Sequence, residues 1–508
     1  MQSALRSAAL ITVFTLAGQT LGFLTQVAAA AIFGASAEMD AFLAATSLPN
    51  YVATILLGSL SYVFIPFFVS YRSRGSESDA YALASALLNN CIVVLLVITL
   101  VGIFYAKSLL RLTAPGLTPE AMELAVKVSV VSWPIIIASG AFYVLISVCQ
   151  AEKKFVWQAV VPLLGGLINL ILMWVLAKQF GVVSLAIGAA ASSALQVALL
   201  ANVLAHRGRY HLKLNWSNAD LRQIFQLLAP LVLVAAVTKS TPLIDRYLAS
   251  DMDAGSISYL NYATKIVALM AVLISAGGST VIFPKLAKDA TSDDMTTVRD
   301  TLQMGVRLMW FAVAPIVAVG VAVATPAVSV LLKYGRFGET DVLAVASLLK
   351  LYLFAMIGMS VGAVTAKGFY VLKDTKSLTV FGIIETIAYV VYTCVLATRL
   401  GVAGVAIAGV IYFNLSIVWQ LLILNKKLGS FAIRNSTISS VKILIAAVIS
   451  GGVAFLVGEV ISTVPLKVAT GVITACLAYF MVLRLLRSEE LTILLGALKS
   501  KSQPVAEA

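Results

Sequence analysis

Five charged residues stand inside long apolar runs: Asp40, Lys239, Lys265, Lys350 and Glu385. An ionised group at membrane depth costs roughly 2.5–3.5 kcal/mol on insertion scales, so each is expected to face a partner or a water-filled cavity. The cations outnumber the anions. A cavity with surplus positive charge suits an anionic ligand, above all a phosphate or pyrophosphate, which lysine meets as a point charge. Lys239 lies deepest, in LVLVAAVTKSTPLID, and it reads either as a cavity cation or as one half of a structural pair with Glu385. Asp40, at the outer start of its run, reads equally as an interfacial cap or as a cavity group. Lys127 and Glu459 are close enough to run ends to snorkel, and Arg246 reads as interfacial.

Other chemistry finds no residues to carry it. There is no GxxxxGK[ST] phosphate loop, which argues against ATP hydrolysis in this chain. The two histidines, His206 and His211, fall in a basic loop rather than in an apolar run, which argues against a histidine proton relay. No Cys/His cluster has metal-ligand spacing. Cys91, Cys149, Cys394 and Cys476 all fall in apolar runs and read as packing residues. The expectation is a protein that is not an enzyme and needs neither metal nor cofactor.

The elements that must position these residues follow from composition. Of 508 residues, 60% are apolar and 12% charged, and the mean hydropathy is +0.99. Soluble chains run at about 45–50% apolar and about 25% charged, so most of this surface must face lipid. A bilayer core of about 30 Å takes roughly 20 helical residues. Fourteen segments qualify, near 7–33, 39–71, 80–106, 121–150, 155–178, 182–205, 221–249, 256–284, 299–324, 341–372, 377–398, 402–425, 441–461 and 464–486. The loops between them are short and leave no room for a soluble catalytic domain. The first segment reads as a retained helix rather than a cleaved leader.

The net charge of +13 is explained by loop placement rather than by nucleic acid. With the N-terminus inside, the inner loops and tails carry 22 lysines and arginines and the outer loops 7. Both termini are therefore expected in the cytoplasm.

A repeat organises the helices. Residues 175–189 (VLAKQFGVVSLAIGA) match residues 395–409 (VLATRLGVAGVAIAG) at seven of fifteen positions, an offset of 220. The same offset carries Gly58-Ser59 onto Gly278-Ser279, each followed by an apolar run and then Pro66 or Pro284. The offset spans six segments, an even number, so the copies enter the membrane in the same sense, as in transporters built from parallel repeats. The expected architecture is an all-α polytopic membrane protein with 14 transmembrane helices. Two six-helix lobes in parallel repeat are followed by two C-terminal helices. The boundaries are 1–206 for the N-lobe, 207–220 for a cytoplasmic linker, 221–426 for the C-lobe, 427–490 for the last pair and 491–508 for a cytoplasmic tail.

Four stretches in order resemble one known family: LGFLTQVAAAAIFGASAEMDAFLAATSLPN (21–50), IDRYLASDMDAGSISYLNYATKI (244–266) with STVIFPKLAKD (279–289), LLKYGRFGETD (331–341) and AKGFYVLKDTK (366–376). Together they are similar to the MurJ (MviN) lipid II flippases of the multidrug/oligosaccharidyl-lipid/polysaccharide exporter superfamily. The resemblance implies two lobes around a cationic cavity that alternates between inward- and outward-facing states. It implies that a polyprenyl tail stays in lipid, along a groove formed by the last two spans, while pyrophosphate and sugars pass through the cavity. Asp40, Lys265 and Lys350 would then contact the substrate.

This chain departs from that pattern. Family arginines at positions matching Gln19 and Thr25, and near Ala53 and Thr54, are missing, and Lys265 replaces another. Lysine lacks the guanidinium fork. Some family members bind sodium through spans 7, 11 and 12; here Lys239 and Glu385 occupy spans 7 and 11, and the ammonium is expected to replace the ion.

The leading expectation is a flippase for a polyprenyl-pyrophosphate-linked glycan precursor, foremost peptidoglycan lipid II, in the bacterial inner membrane. The alternatives are a flippase for another surface polysaccharide's precursor, a cation-coupled drug or metabolite exporter, and a scaffold that has lost transport. Expected partners are the lipid-linked substrate, membrane lipids and cell-wall synthesis proteins, with no nucleic acid.

Overall fold

A computed structural model describes residues 2–205, 210–212, 214, 218–289, 295–429 and 433–493. His206, half of the 207–220 linker and the tail beyond residue 493 lie outside the described residues. Of the second-half match at Gly278-Ser279 and Pro284, only the helical backbone is described.

Eighteen helices follow one another, with no strand among the described residues. They are α1 (Gln2–Phe33), α2 (Ala37–Leu57), α3 (Leu60–Ser73), α4 (Glu77–Phe104), α5 (Ala106–Thr113), α6 (Pro119–Ser132), α7 (Ile135–Ala151), α8 (Val156–Phe180) and α9 (Val183–Ala205). Then come α10 (Ala219–Thr238), α11 (Thr241–Ser250), α12 (Ser256–Asp289), α13 (Met295–Leu332), α14 (Glu339–Val371), α15 (Thr375–Leu400), α16 (Val402–Leu428), α17 (Ile433–Val460) and α18 (Val464–Leu485).

Thirteen segments among the described residues are long and apolar enough to cross a membrane. The fourteenth expected segment corresponds to α12, a continuous helix that is not among the thirteen. Three of the thirteen are pairs of helices: α2–α3, α6–α7 and α10–α11. Pro134 and Pro242 explain two of the breaks, because each lacks the N–H that an uninterrupted helix needs and its ring crowds the carbonyl four residues earlier. The short amphipathic helix α5 replaces what the sequence presents as loop.

The chain divides into two compact units. The first comprises residues through Ser258 together with Tyr334–Phe337; the second comprises Tyr259–Lys333 and the residues from Gly338 onward. Helices α10 and α11 therefore pack with the first unit, against α2, α3, α4 and α5. Tyr51 of α2 donates its hydroxyl to the Ala236 carbonyl of α10. Phe64, Phe68, Tyr81, Val144 and Cys149 anchor this unit's core, with Phe68 and Tyr81 edge to face at 5.5 Å. Part of the linker docks here too. Tyr210 donates to Asn89 Oδ1 (2.7 Å), and Asn89 Nδ2 donates to the His211 carbonyl (3.0 Å).

In the second unit α13 is central, packed by α14, α17 and α18, while α16 lies on α14 and α15. Tyr259 at the start of α12 donates to Asp341 in the first turn of α14 (2.9 Å), and Asp341 also accepts the Gly338 N–H (2.9 Å).

The 220-residue offset reappears as backbone geometry. Gly181 and Gly401 close α8 and α15 at φ/ψ of 53/−139° and 58/−139°, each donating its N–H four residues back, to Ala177 and Ala397. That conformation is nearly confined to glycine. Lys153 and Lys373, also 220 apart, both adopt positive φ (60° and 55°) where α7 and α14 end. A carboxylate steadies each of these turns. Glu152 pairs with Lys154 at 2.6 Å, and Asp374 with Lys427 at 2.6 Å. The Lys427 ammonium, helped by Ser377, pulls the Asp374 carboxyl down to about 2. No Cβ contact opposes a side chain at Gly181 or Gly401, so the cost of alanine there is conformational alone. Gly181→Ala and Gly401→Ala are each expected to destabilise the protein by about 1–3 kcal/mol, read as a lower melting temperature in detergent.

Candidate functional site

Asp40 is placed by the N-terminus of α2, where the Ser36 side chain accepts the Met39 N–H (3.3 Å) and starts the helix. From the first turn Asp40 points into protein, with 4% of its surface exposed. Its carboxylate accepts the Gly255 N–H (2.6 Å), the Ser258 N–H (2.7 Å) and the Ser258 hydroxyl (2.5 Å). Those donors belong to the opening turn of α12. A helix start presents unpaired N–H groups and the positive end of its dipole, so a buried carboxylate caps it well. Asp40 is thus engaged as a cap on α12, with both oxygens occupied.

Lys265 lies seven residues beyond Ser258 on the same helix, about two turns along. Its residue is exposed while its neighbours Tyr262, Ala263 and Ile266 are buried. The cap therefore fixes the origin of the helix that carries this ammonium.

Lys350 is exposed on α14, one turn before Phe354. Phe354 lines a groove of about 500 Å³ formed by α13, α14 and α17, in the second unit. Every lining residue is apolar or glycine, among them Trp310, Val317, Ala447, Gly452 and Phe455. The groove has the volume of a ligand site and the chemistry of a hydrocarbon chain.

Lys239 is exposed at the close of α10, at the break in its span. Glu385 is buried in α15 of the second unit, at 6% exposure. Its Oε2 accepts the Trp419 indole N–H (3.2 Å), and its Oε1 is buried without a hydrogen-bond partner. Phe381, one turn before Glu385, stacks on Trp419 at 5.0 Å. Neither Lys239 nor Glu385 makes an ion pair among the described residues.

The positions where arginine is missing are ordinary helix. Thr25 is buried and donates to its own helix at the Leu21 carbonyl (3.0 Å); Gln19 and Thr54 are exposed, and Thr54 donates to Asn50 (2.8 Å).

The sequence pattern of a known family settles the lineage: the profile described as "Lipid II flippase MurJ" matches residues 29–475. The chain belongs to the MurJ family. Curated relatives include a probable lipid II flippase MurJ of Bdellovibrio bacteriovorus, 28% identical over 80% of this chain and 79% of that protein. Another, named lipid II flippase MurJ, from Burkholderia cenocepacia, is 26% identical over 73% of this chain and 74% of its own. Among solved structures, "Lipid II flippase MurJ, inward closed conformation" superposes with a TM-score of 0.81 at 21% identity, covering 93% of this chain and 98% of that one. A multidrug resistance MATE family transporter of the MOP superfamily gives 0.65 at 17% identity, over 81% and 94% of the two chains. Both share the helical fold. MurJ proteins are transporters rather than enzymes, and this chain is a multi-pass membrane protein.

The sodium site implied for some MurJ members is poorly matched by these residues. The span 7 position is a lysine, one Glu385 oxygen already takes an indole N–H, and the position one turn earlier is the phenylalanine that holds that indole.

Geometry thus supplies parts that single-residue reading missed. Gly255 and Ser258 as donors, Trp419 as the partner of Glu385, and the groove glycines carry no charge and leave no motif. The polar residues in span 12, Ser416 and Gln420, were the available signal that α16 faces a buried polar neighbour.

Proposed function

We propose that this protein carries lipid II, the polyprenyl-diphosphate-linked peptidoglycan precursor, from the inner to the outer leaflet of the bacterial cytoplasmic membrane by alternating access. The family pattern running through residues 29–475 is the observation that carries this reading. The 22-to-7 asymmetry of basic loop residues supports placing both termini in the cytoplasm.

In this reading Lys265 meets the diphosphate in a water-filled path, because an ammonium in hydrocarbon would be costly. Asp40 is a positioning residue that acts through the start of α12. The polyprenyl chain lies in the α13/α14/α17 groove, with Lys350 beside it. Lysine in place of a family arginine, with Gln19 and Thr25 in span 1, favours as a second reading the lipid-linked precursor of another surface polysaccharide, since a head group bound without a guanidinium fork need not be that of lipid II.

Glu385 serves as the coupling carboxylate, answered by Lys239 during the cycle rather than by sodium. Flipping is then expected to be independent of sodium and to fall in both Glu385→Gln and Lys239→Ala. Sodium-dependent activity that is lost in Glu385→Gln but kept in Lys239→Ala contradicts this pairing.

Complementation tests the function as a whole. A bacterium depleted of its essential lipid II flippase should regain growth when this chain is expressed, with membrane insertion checked by immunoblot. Failure to rescue despite good expression would favour the second reading.

A further inference from the structure

Four residues of the connection between α13 and α14, Tyr334–Phe337, pack with the first unit, although both helices belong to the second. They form a tight turn, closed by the Phe337 N–H on the Tyr334 carbonyl (3.1 Å). The turn sits on the bend between α1 and α2. The last carbonyls of a helix lack N–H partners within it. At the end of α1, Gly34 donates to the Ala30 carbonyl (2.8 Å), and Arg336 of the turn donates to that of Ala31 (2.8 Å). The Phe337 side chain is buried.

Main chain meets main chain here because each side offers a glycine. Gly34 and Gly335 both adopt left-handed conformations, at φ of 66° and 57°. A Cβ at Gly335 would stand 2.1 Å from the Ala31 carbonyl oxygen, and one at Gly34 would stand 3.0 Å from that of Arg336. Both oxygens are backbone atoms that cannot swing aside. Beside them the exposed Arg336 guanidinium faces the exposed Glu38 carboxylate of α2 at 3.7 Å, an ion pair worth little in water. A seam made of so few parts can open without repacking a core, which an interdigitated interface cannot do.

The start of α12 is tied to the same elements. Asp40 in the first turn of α2 holds Gly255 and Ser258, and the next residue, Tyr259, donates to Asp341. Asp341 also accepts the N–H of Gly338, directly after the turn. Hydrogen bonds thus lead from α2 through the opening of α12 back to the connection that carries the turn.

We propose that Tyr334–Phe337 is a latch that clasps the α1–α2 bend, keeps the outer side of the protein closed, and lets go when the cargo's head group leaves. This rests on the flipping reading and on cytoplasmic termini, which put this connection outside. The two glycines make the close approach possible, and the Arg336–Glu38 pair adds a bias that salt weakens.

The test uses the full chain in lipid nanodiscs. Spin labels at Ala35→Cys and Thr340→Cys, with the exposed Cys394 and Cys476 changed to alanine, report the separation of bend and connection. Gly335→Ala should raise the population at long separation by about tenfold, because the methyl group and the Ala31 oxygen cannot share the space. Arg336→Glu sets like charges face to face and should raise it by about twofold to fivefold, while the swap Glu38→Arg/Arg336→Glu should return it to the wild-type level. A population unchanged in both Gly335→Ala and Arg336→Glu overturns the latch. In a flipping assay, Glu38→Cys/Arg336→Cys bridged by a cleavable bis-maleimide should fall to the protein-free rate and recover on cleavage. Bridged protein that flips as fast as the unbridged protein overturns the release step. Separations are read without cargo, so variants that open as expected in a chain that flips no lipid II would contradict the proposed function and leave the latch standing.

Discussion

Asp40→Asn is expected to lower flipping by more than about tenfold while the protein still inserts and expresses. The carboxylate accepts three hydrogen bonds from the opening turn of α12, two of them from backbone N–H groups. Asparagine offers one acceptor oxygen and turns an NH2 toward donors. Hydrogen bonds to a charged group are worth roughly 1.5–3 kcal/mol, and each 1.4 kcal/mol is a factor of ten in an equilibrium. The start of α12 should then wander, and Lys265 with it. Asp40→Glu keeps the charge on a longer stem and should restore part of the activity. A rate equal to wild type in Asp40→Asn, measured on properly inserted protein, would show that the cap is incidental to transport.

Lys265→Gln should have an equal or larger effect, about tenfold to a thousandfold on flipping. A unit charge about 4 Å from a phosphate oxygen interacts by about 4 kcal/mol at an effective dielectric of 20, and much less in water. The loss should appear as weaker substrate dependence rather than as lower stability, since the residue is exposed. Lys265→Arg should match or exceed wild type, because the guanidinium grips a diphosphate in two places. Equal flipping by Lys265→Gln and wild type would remove this residue from the substrate path.

How far such a site can be read from residues depends on the distance over which its contacts form. The spans were legible because hydropathy is a local property. The repeat was legible at Gly181 and Gly401, because a backbone conformation reserved for glycine fixes the residue type in both copies. Lys153 and Lys373 mark the same repeat, yet positive φ at lysine leaves no trace in residue type. The short helix α5 escaped notice because eight amphipathic residues between two spans look like loop. Asp40 stood out as a charge near an apolar run, but its partners lie more than 200 residues away and are mostly backbone groups. The same holds for Glu385, whose neighbour is an indole, and for Arg307, whose two carboxylates follow the last helix. Charge draws attention to a residue; only packing says which groups answer it.

The most direct test of the central claim is transport of lipid II itself. Purified protein is reconstituted into vesicles carrying labelled lipid II, and the fraction reached by a membrane-impermeant enzyme acting on the sugar head group is followed in time. Wild type should expose lipid from the protected leaflet well above protein-free vesicles, and Lys265→Gln should fall back toward that baseline. Vesicles with wild-type protein that expose no more lipid II than empty ones, although the protein is folded and inserted in both orientations, would contradict the assignment.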